Sequence, residues 1–129
     1  MADTVRKRVL IVDDASLVRM YYRQALEGAG FDVDEALNGL EALEKLLAGP
    51  VDLLVVDVNM PQMDGFTFVT ALRSQASEIA SIPVLITSTE SAVEDLDAAR
   101  KAGANFYLVK PLTQDQLALH ARILTGCEF

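Results

Sequence analysis

The feature that most constrains the fold is a regular alternation of short apolar runs with longer stretches of helical periodicity. The first, third and fourth runs are almost continuously apolar, which is typical of strands that helices cover on both faces. The second run is weaker and alternates, which is typical of an edge strand. The predicted strands are Arg8–Asp13, Asp32–Ala36, Asp52–Asp57, Ile82–Thr87 and Asn105–Lys110.

Five amphipathic stretches follow the strands, each with apolar side chains at helical spacing. Gly30 is placed for a left-handed cap at the end of the first, Gly103 ends the fourth, and Thr113 is the predicted N-cap of the fifth. The order (βα)5 predicts an α/β fold in which a doubly wound parallel sheet of five strands lies between two helical layers, with right-handed crossovers. Ligands of such sheets bind outside the carboxyl ends of the strands.

Length and composition indicate one globular domain over residues 1–129. The chain is 51% hydrophobic and has a formal net charge of −8. The acidic balance argues against a nucleic-acid partner, because phosphate backbones require clustered Lys and Arg. Cys127 is the single cysteine, so no internal disulfide can form. The N-terminus lacks a signal-peptide pattern and no apolar run is long enough to span a membrane, so we expect a soluble cytoplasmic protein.

Polar residues stand at the ends of four predicted strands: Asp13 with Asp14, then Asp57, Thr87 and Lys110. Each residue alone has a structural explanation as a turn former, strand residue or solvated charge. Together, three carboxylates at one sheet edge would repel one another unless a cation lay between them. Oxygen ligands without nearby His or Cys favour a hard ion, so the pattern predicts Mg²⁺.

The remaining polar groups at this edge predict a phosphate site. Lys110 supplies a positive charge, Thr87 a hydroxyl, and the backbone N–H groups of Asn59 and Ser88 further donors. A carboxylate in such a place can act as a nucleophile and form an aspartyl-phosphate. Mg²⁺ and Lys110 would then neutralise charge on the transferring phosphoryl group.

These residues resemble one family, the receiver domain of two-component response regulators. The similarity extends from Val9 to the C-terminus, with all motifs in the family's order and spacing. The matching motifs are Val9-Leu-Ile-Val-Asp-Asp14, Asp57-Val-Asn-Met-Pro61 with Met63-Asp-Gly65, Leu85-Ile-Thr87-Ser88, and Gly103-Ala104 before Tyr107-Leu-Val-Lys-Pro111.

The resemblance implies a role for each residue at the predicted site. Asp57 is the phospho-acceptor, and it holds Mg²⁺ together with Asp13, Asp14 and the backbone carbonyl of Asn59. Lys110 pairs with the phosphate, and its bond to the following proline is expected to be cis.

Five residues are implied in switching, in phosphate binding or in the lifetime of the phosphoryl group. Thr87 is the switch hydroxyl, and Tyr107 is the aromatic switch that turns inward when Thr87 binds phosphate. The alternative for Tyr107 is a half-buried strand aromatic without a switching role. Ser88 contributes to phosphate binding, and Asn59 and Thr89 tune how long the phosphoryl group lasts.

The resemblance also implies the fold and the partners. The strand order is the flavodoxin-like 2-1-3-4-5. We expect a stand-alone, CheY-like receiver without an output domain, phosphorylated by a CheA-like sensor histidine kinase. Its fourth helix, fifth strand and fifth helix would form the face that a downstream protein reads, such as a flagellar motor switch component in chemotaxis. We expect a monomer that catalyses only its own phosphorylation and dephosphorylation and is not otherwise an enzyme.

Several other functions would use parts of the same pattern. A phosphatase with an aspartyl-phosphate intermediate typically has a second Asp two residues after the nucleophile, where this chain has Asn59. A flavin binder is disfavoured because the acidic turn after the first strand would repel a flavin phosphate. A pseudo-receiver that is never phosphorylated usually lacks an acidic residue or the lysine, and this chain retains them. A phosphorelay intermediate that passes phosphate to a histidine-phosphotransfer protein remains an alternative.

Overall fold

Strands and helices alternate along the chain as the sequence pattern predicts. The computed structural model describes residues 6–58, 64–90 and 92–126. The strands are β1 (Arg8–Val12), β2 (Asp32–Ala36), β3 (Leu53–Asp57), β4 (Val84–Ser88) and β5 (Phe106–Val109). The helices are α1 (Ser16–Gly28), α2 (Gly39–Ala48), α3 (Gly65–Arg73), α4 (Ser77–Ala80), α5 (Val93–Ala102) and α6 (Gln114–Thr125).

The five strands of the described residues form one parallel sheet in the order β2-β1-β3-β4-β5. The predicted α/β fold and the predicted strand order are therefore confirmed. β3 is central and fully buried, which explains its unbroken apolar sequence. The register pairs Asp57 on β3 with Thr87 on β4, so two of the predicted site residues are neighbours at the carboxyl edge.

Helices cover both faces of the sheet, and each face has its own hydrophobic cluster. One cluster joins the sheet to α2, α3 and α5 through residues such as Leu46, Phe68 and Ala99. The other joins it to α1 and α6 through residues such as Leu26 and Leu117. This two-sided burial gives the three-layer arrangement that the alternating pattern predicts.

The structure contains one helix that the sequence pattern did not predict. Five helices were expected, and α4 is an additional single turn of four residues without a buried side chain. Hydrophobic periodicity cannot detect such a turn, because it presents no apolar stripe. The predicted fourth and fifth helices are therefore α5 and α6 of the structure. Thr113 is the N-cap of α6, as predicted, and it forms a capping box with Gln116.

Arg73, at the end of α3, connects three segments at the amino ends of β4 and β5. Its guanidinium donates to the backbone carbonyls of Ala80, Ile82 and Gly103 at 2.6, 2.7 and 2.7 Å. It also donates to the Asn105 side chain at 2.8 Å. Gly103 itself has a φ of 108°, a conformation that favours glycine. The guanidinium thereby satisfies carbonyls that the surrounding turns leave unpaired.

Gly65, the first residue of α3, packs directly against the backbone at the end of β3. Its N–H donates to the carbonyl of Val58 at 2.9 Å. A Cβ at this position would lie 2.6 Å from the Asp57 carbonyl oxygen and 2.8 Å from the Val58 Cα. Glycine is required here by the close approach of two backbones.

We therefore expect Gly65→Ala to lower the free energy of unfolding by about 2 kcal/mol, because neither backbone can yield without strain. Chemical denaturation monitored by circular dichroism would measure the change. Gly28→Ala is the matched control: a Cβ at Gly28 would meet nothing within 4 Å, so this helical position should tolerate alanine. Equal stability of Gly65→Ala and the parent protein would contradict the steric argument.

Within the described ranges, no helix combines the length and the apolar composition needed to cross a lipid bilayer.

Candidate functional site

Three aspartates meet at the carboxyl edge of the sheet, as the sequence predicts. Asp13 directly follows β1, with Asp14 beside it, and Asp57 ends the neighbouring strand β3. One carboxylate oxygen of each lies within 4.8 Å of those of the other two. Asp13 and Asp57 are only 1% and 4% exposed, whereas Asp14 is exposed. The strand ends thus gather negative charge at a place that is partly shielded from water.

Lys110, immediately after β5, supplies the opposing positive charge. Its Nζ donates to Asp57 Oδ1 at 3.1 Å and lies 3.7 Å from Asp13 Oδ2. The peptide bond from Lys110 to Pro111 is cis, as the resemblance implied. Burial alone would lower the pKa of Lys110, but the charge and hydrogen bond of Asp57 outweigh burial and raise it. The lysine is therefore a permanent cation at this site.

Asp13 is the most shielded of the acidic groups. Its Oδ1 accepts a hydrogen bond from the Ala15 N–H at 2.9 Å. Its Oδ2 is buried and has no hydrogen-bond partner among the residues that the structure describes. Burial raises the pKa of Asp13, and the charge of Asp57 raises it further, against the opposing effects of the Ala15 N–H and Lys110. The site holds its negative charge at an energetic cost.

This donor set fits a hard divalent cation. The three clustered carboxylates offer only oxygen ligands, and Asp13 Oδ2, which accepts no hydrogen bond from the described residues, is an oxygen that a cation would satisfy. Asp13, Asp14 and Asp57 would hold Mg²⁺, which would contribute positive charge beside a phosphoryl group. The predicted fourth ligand, the Asn59 carbonyl, lies outside the described residues.

We expect Asp13→Asn to stabilise the protein at pH 7 in the absence of divalent cations, by about 1 kcal/mol. Folding raises the pKa of this carboxyl, so the folded state favours its protonated form. Its contribution to stability is therefore complete below the ordinary pKa and is lost as the pH rises through the pKa of the folded state. The amide removes this charge and retains the Oδ1 acceptor for Ala15. Urea unfolding in EDTA would show the gain at pH 7, and the gain should vanish below the ordinary pKa of 3.8.

The same variant should bind Mg²⁺ more weakly, because one anionic ligand is lost. A variant that is less stable than the parent at pH 7 in EDTA would contradict the assigned cost of the Asp13 charge. Asp14→Asn is the control for the change in stability, because Asp14 is exposed and its charge is solvated.

The hydroxyl residues at the end of β4 differ in their environments. Thr87 is fully buried beside Asp57, and its Oγ1 has no well-formed hydrogen bond within the described part of the chain. Ser88 Oγ accepts from the Glu90 N–H at 3.1 Å, and the Ser88 carbonyl accepts from the Lys110 N–H at 2.7 Å. Thr89 is exposed at the rim. In the described part of the chain, Thr87 therefore has a hydroxyl that is buried at the acidic edge and makes no well-formed hydrogen bond.

Tyr107 on β5 is half-buried, and its hydroxyl donates to the Glu90 carbonyl at 2.7 Å. This hydrogen bond joins β5 to the loop between β4 and α5. The ring also packs against the hydrophobic cluster that α3 and α5 share. The register pairs Tyr107 with Ile86, the residue before Thr87 on the neighbouring strand, and the role of Tyr107 as a switch stays a prediction.

Two residues near the site were not predicted as functional from the sequence. Arg19 on α1 donates to the Asp13 carbonyl at 2.7 Å and pairs with Glu35 at 2.8 Å, which holds the acidic turn against β2. Tyr22 was interpreted only as part of the apolar face of α1. It is buried, yet it lines a groove of about 500 Å³ together with Thr89 and Lys110. A tyrosine on the buried face of a predicted helix could have indicated a nearby polar group, because a buried tyrosine hydroxyl needs a polar neighbour.

The arrangement of acidic cluster, hydroxyl and lysine has a counterpart in known proteins. A sequence model of the response regulator receiver domain matches residues 9–122, which include every site residue described above. The chain belongs to the response regulator receiver domain family. Receiver domains generally bind Mg²⁺ at an acidic pocket, and three aspartates are clustered in this chain.

Relatives and solved structures agree with this membership. The transcriptional regulatory proteins PrrA of Mycobacterium leprae and Mycobacterium tuberculosis are each 40% identical over 117 residues, covering 91% of this chain and 49% of the relative. The chain thus spans about half the length of these curated relatives. The chemotaxis protein CheY4 of Vibrio cholerae superposes with a TM-score of 0.88 at 36% identity, over 93% of this chain and 99% of the other.

Proposed function

We propose that this receiver domain accepts a phosphoryl group on Asp57 from a sensor histidine kinase and thereby switches its affinity for a downstream protein. The observation that carries the proposal is the Lys110 ammonium 3.1 Å from Asp57 Oδ1, opposite the clustered aspartates. Asp57 is the central member, because it ends the middle strand, accepts a hydrogen bond from Lys110 and has an oxygen within 4.8 Å of oxygens of Asp13 and Asp14. A structural ion pair would not require three carboxylates at one edge.

The chemistry follows from the positions of these groups. An oxygen of the Asp57 carboxylate forms a bond to the phosphorus of a phosphohistidine as the P–N bond breaks, and the imidazole nitrogen leaves with the electron pair. Lys110 then pairs with a phosphoryl oxygen, and the Thr87 hydroxyl donates to another. Bound Mg²⁺ supplies the remaining positive charge. Hydrolysis of the aspartyl-phosphate returns the domain to its starting state, so the protein is a switch that catalyses its own reactions rather than a turnover enzyme.

The output surface of the proposal is the face formed by α5, β5 and α6. Tyr107 reaches this face through β5, and its hydroxyl contacts the loop that follows Thr87 and Ser88. Several large apolar side chains are exposed on the three elements: Val93, Leu96, Phe106, Val109, Leu119 and Ile123. An exposed apolar surface of this kind is typical of a protein-binding site.

The structural similarity to the chemotaxis protein CheY4 supports a chemotaxis role, with a CheA-like kinase and a flagellar motor switch component as partners. The similarity to the PrrA regulators leaves transcriptional control as the competing pathway. We place the protein in the cytoplasm as a monomer. A pull-down that compares the unmodified protein with its beryllofluoride-treated form would identify the partner and decide between the pathways.

The test of the proposal is phosphorylation of the purified protein with acetyl phosphate. In the presence of Mg²⁺, intact mass spectrometry should show the addition of one phosphoryl group, which EDTA prevents. Absence of the adduct with both acetyl phosphate and a phosphorylated histidine kinase would favour the pseudo-receiver alternative. Transfer of the group onward to a histidine-phosphotransfer protein would favour the relay alternative.

A further inference from the structure

Arg19, in the first turn of α1, has a side chain that is only 11% exposed. Its guanidinium has two partners: Nε donates to Glu35 Oε1 at 2.8 Å, and Nη1 donates to the Asp13 carbonyl at 2.7 Å. A guanidinium is costly to remove from water unless it is paired and hydrogen-bonded. The two interactions therefore fix the position of the guanidinium, which links the edge strand β2 to the turn that follows β1.

Glu35, the anionic partner of Arg19, is also held by a second arginine of α1. Arg23 Nη1 donates to Glu35 Oε2 at 2.7 Å, so each carboxylate oxygen is bonded to a different guanidinium. The hydrogen bond from Arg23 lowers the pKa of Glu35, and Arg19 lowers it further, against the opposing effect of burial. Glu35 is therefore a charged acceptor with a fixed place on β2, and it keeps the Arg19 side chain directed toward Asp13.

The polar atoms of Asp13 are held by neighbours on several sides. Its N–H donates to the Ala36 carbonyl at 3.1 Å, and its Oδ1 accepts from the Ala15 N–H at 2.9 Å. Its carbonyl lies beyond the last residue of β1 and accepts from Arg19. The remaining polar atom, Oδ2, faces the candidate metal site at 3.7 Å from Lys110 Nζ. The bond from Arg19 thus belongs to the set that directs this oxygen into the site.

The carbonyl that Arg19 holds belongs to the peptide bond between Asp13 and Asp14. A peptide unit is planar, so an interaction that fixes its oxygen also fixes the orientation of the Asp14 N–H. Both aspartates belong to the oxygen cluster that includes Asp57. Arg19 therefore constrains the backbone from which two of the three candidate Mg²⁺ ligands project.

We propose that Arg19 is a positioning residue of the metal site: it holds the peptide between Asp13 and Asp14 in the orientation with which their carboxylates bind Mg²⁺. The proposal rests on the proposed function, because Mg²⁺ belongs to the same phosphoryl site. The charge of the guanidinium acts in the opposite direction, since a nearby cation repels Mg²⁺. Loss of the Arg19 guanidinium therefore weakens Mg²⁺ binding through position, whereas an effect of charge alone would strengthen it.

The test compares Arg19→Met with Arg23→Met, because each variant removes one guanidinium from Glu35 and one positive charge from α1. Mg²⁺ alone is the probe, titrated at constant ionic strength and followed by amide NMR shifts. Arg19→Met should raise the Kd for Mg²⁺ about tenfold, as the loss of a group that orients metal ligands generally does. Arg23→Met should stay within about twofold of the parent. The hydrogen bonds of Arg23 go to Glu27, Glu35 and Val33.

Arg19→Lys is a second variant with a smaller change. It restores a positive charge and one donor group without the planar fork of arginine. It should bind Mg²⁺ more tightly than Arg19→Met does, although its charge repels the ion.

A further measurement uses the protein without divalent cations. The three-bond coupling between the amide and α protons of Asp14 reports its φ angle, which depends on the orientation of the preceding peptide. Arg19→Met should change this coupling and Arg23→Met should not. The coupling is measured in the folded state, so a loss of global stability does not by itself alter it.

An affinity of Arg19→Met for Mg²⁺ that equals or exceeds that of the parent would overturn the proposal. An unchanged Asp14 coupling, or weaker Mg²⁺ binding by Arg19→Lys than by Arg19→Met, would overturn it as well. Failure of the parent protein to bind Mg²⁺ would instead count against the proposed function.

Discussion

Asp57→Asn is expected to abolish phosphorylation by acetyl phosphate, with a residual rate below about one-hundredth of the parent rate. The carboxylate oxygen that bonds to phosphorus is replaced by an amide, which is a far weaker nucleophile. Lys110 also loses the charge it pairs with at 3.1 Å, so the groups that neutralise the phosphoryl oxygens are less well positioned. Mass spectrometry after a fixed incubation with Mg²⁺ would measure the loss.

Asp52→Asn is the matched control, because Asp52 precedes the same strand at its opposite end. Its Oδ2 accepts from the Arg8 N–H at 2.8 Å, an interaction that an asparagine oxygen retains. This variant should be phosphorylated as the parent is. Labelling of Asp57→Asn at the parent rate would show that another residue accepts the phosphoryl group, and peptide mapping would locate it.

Arg73→Ala should lower the free energy of unfolding by about 3 kcal/mol, the largest effect on stability that we expect from a single side chain. The substitution leaves the carbonyls of Ala80, Ile82 and Gly103 without their charged donor. Burial lowers the pKa of Arg73, which shows that removing its charge from water costs free energy. Part of the stability gained from these hydrogen bonds offsets that cost. Urea unfolding monitored by circular dichroism would measure the change.

Arg100→Ala is the control for the loss of an arginine. Its side chain is 80% exposed and pairs on the surface with Asp97, so its removal should change stability by less than about 0.5 kcal/mol. Similar denaturation midpoints for Arg73→Ala and Arg100→Ala would show that the Arg73 hydrogen bonds contribute little. Phosphorylation of folded Arg73→Ala should proceed normally, because the substitution lies far from Asp57.

The sequence predicted the strands and the convergence of the site residues, because both depend on local patterns and on a general rule of parallel sheets. The strand order was implied by the resemblance to receiver domains. The alternation of short apolar runs with helical stretches indicated the strands. The carboxyl ends of adjacent parallel strands necessarily lie at one edge of the sheet. Asp13, Asp57 and Lys110 could therefore be placed together without any knowledge of their side-chain conformations.

Contacts between side chains distant in the sequence could not be predicted in this way. Arg73 resembles any charged residue at a helix end, and only the folded chain brings the Gly103 carbonyl to it. The position of Tyr22 at the groove beside Lys110 depends on the rotation of α1 over the sheet, which periodicity specifies as a face but not as a contact. The single-turn helix α4 has no hydrophobic periodicity from which it could be predicted.

The Arg73 interactions lie at the amino ends of β4 and β5, whereas the phosphoryl chemistry lies at their carboxyl ends. The five residues of β4 separate the two places by about 16 Å, at the usual rise of a strand. Energetic effects at such a separation are generally additive. Substitutions at one end can therefore alter the site proposed for phosphoryl transfer, and substitutions at the other end the stability of the domain, without compensating mutations between them.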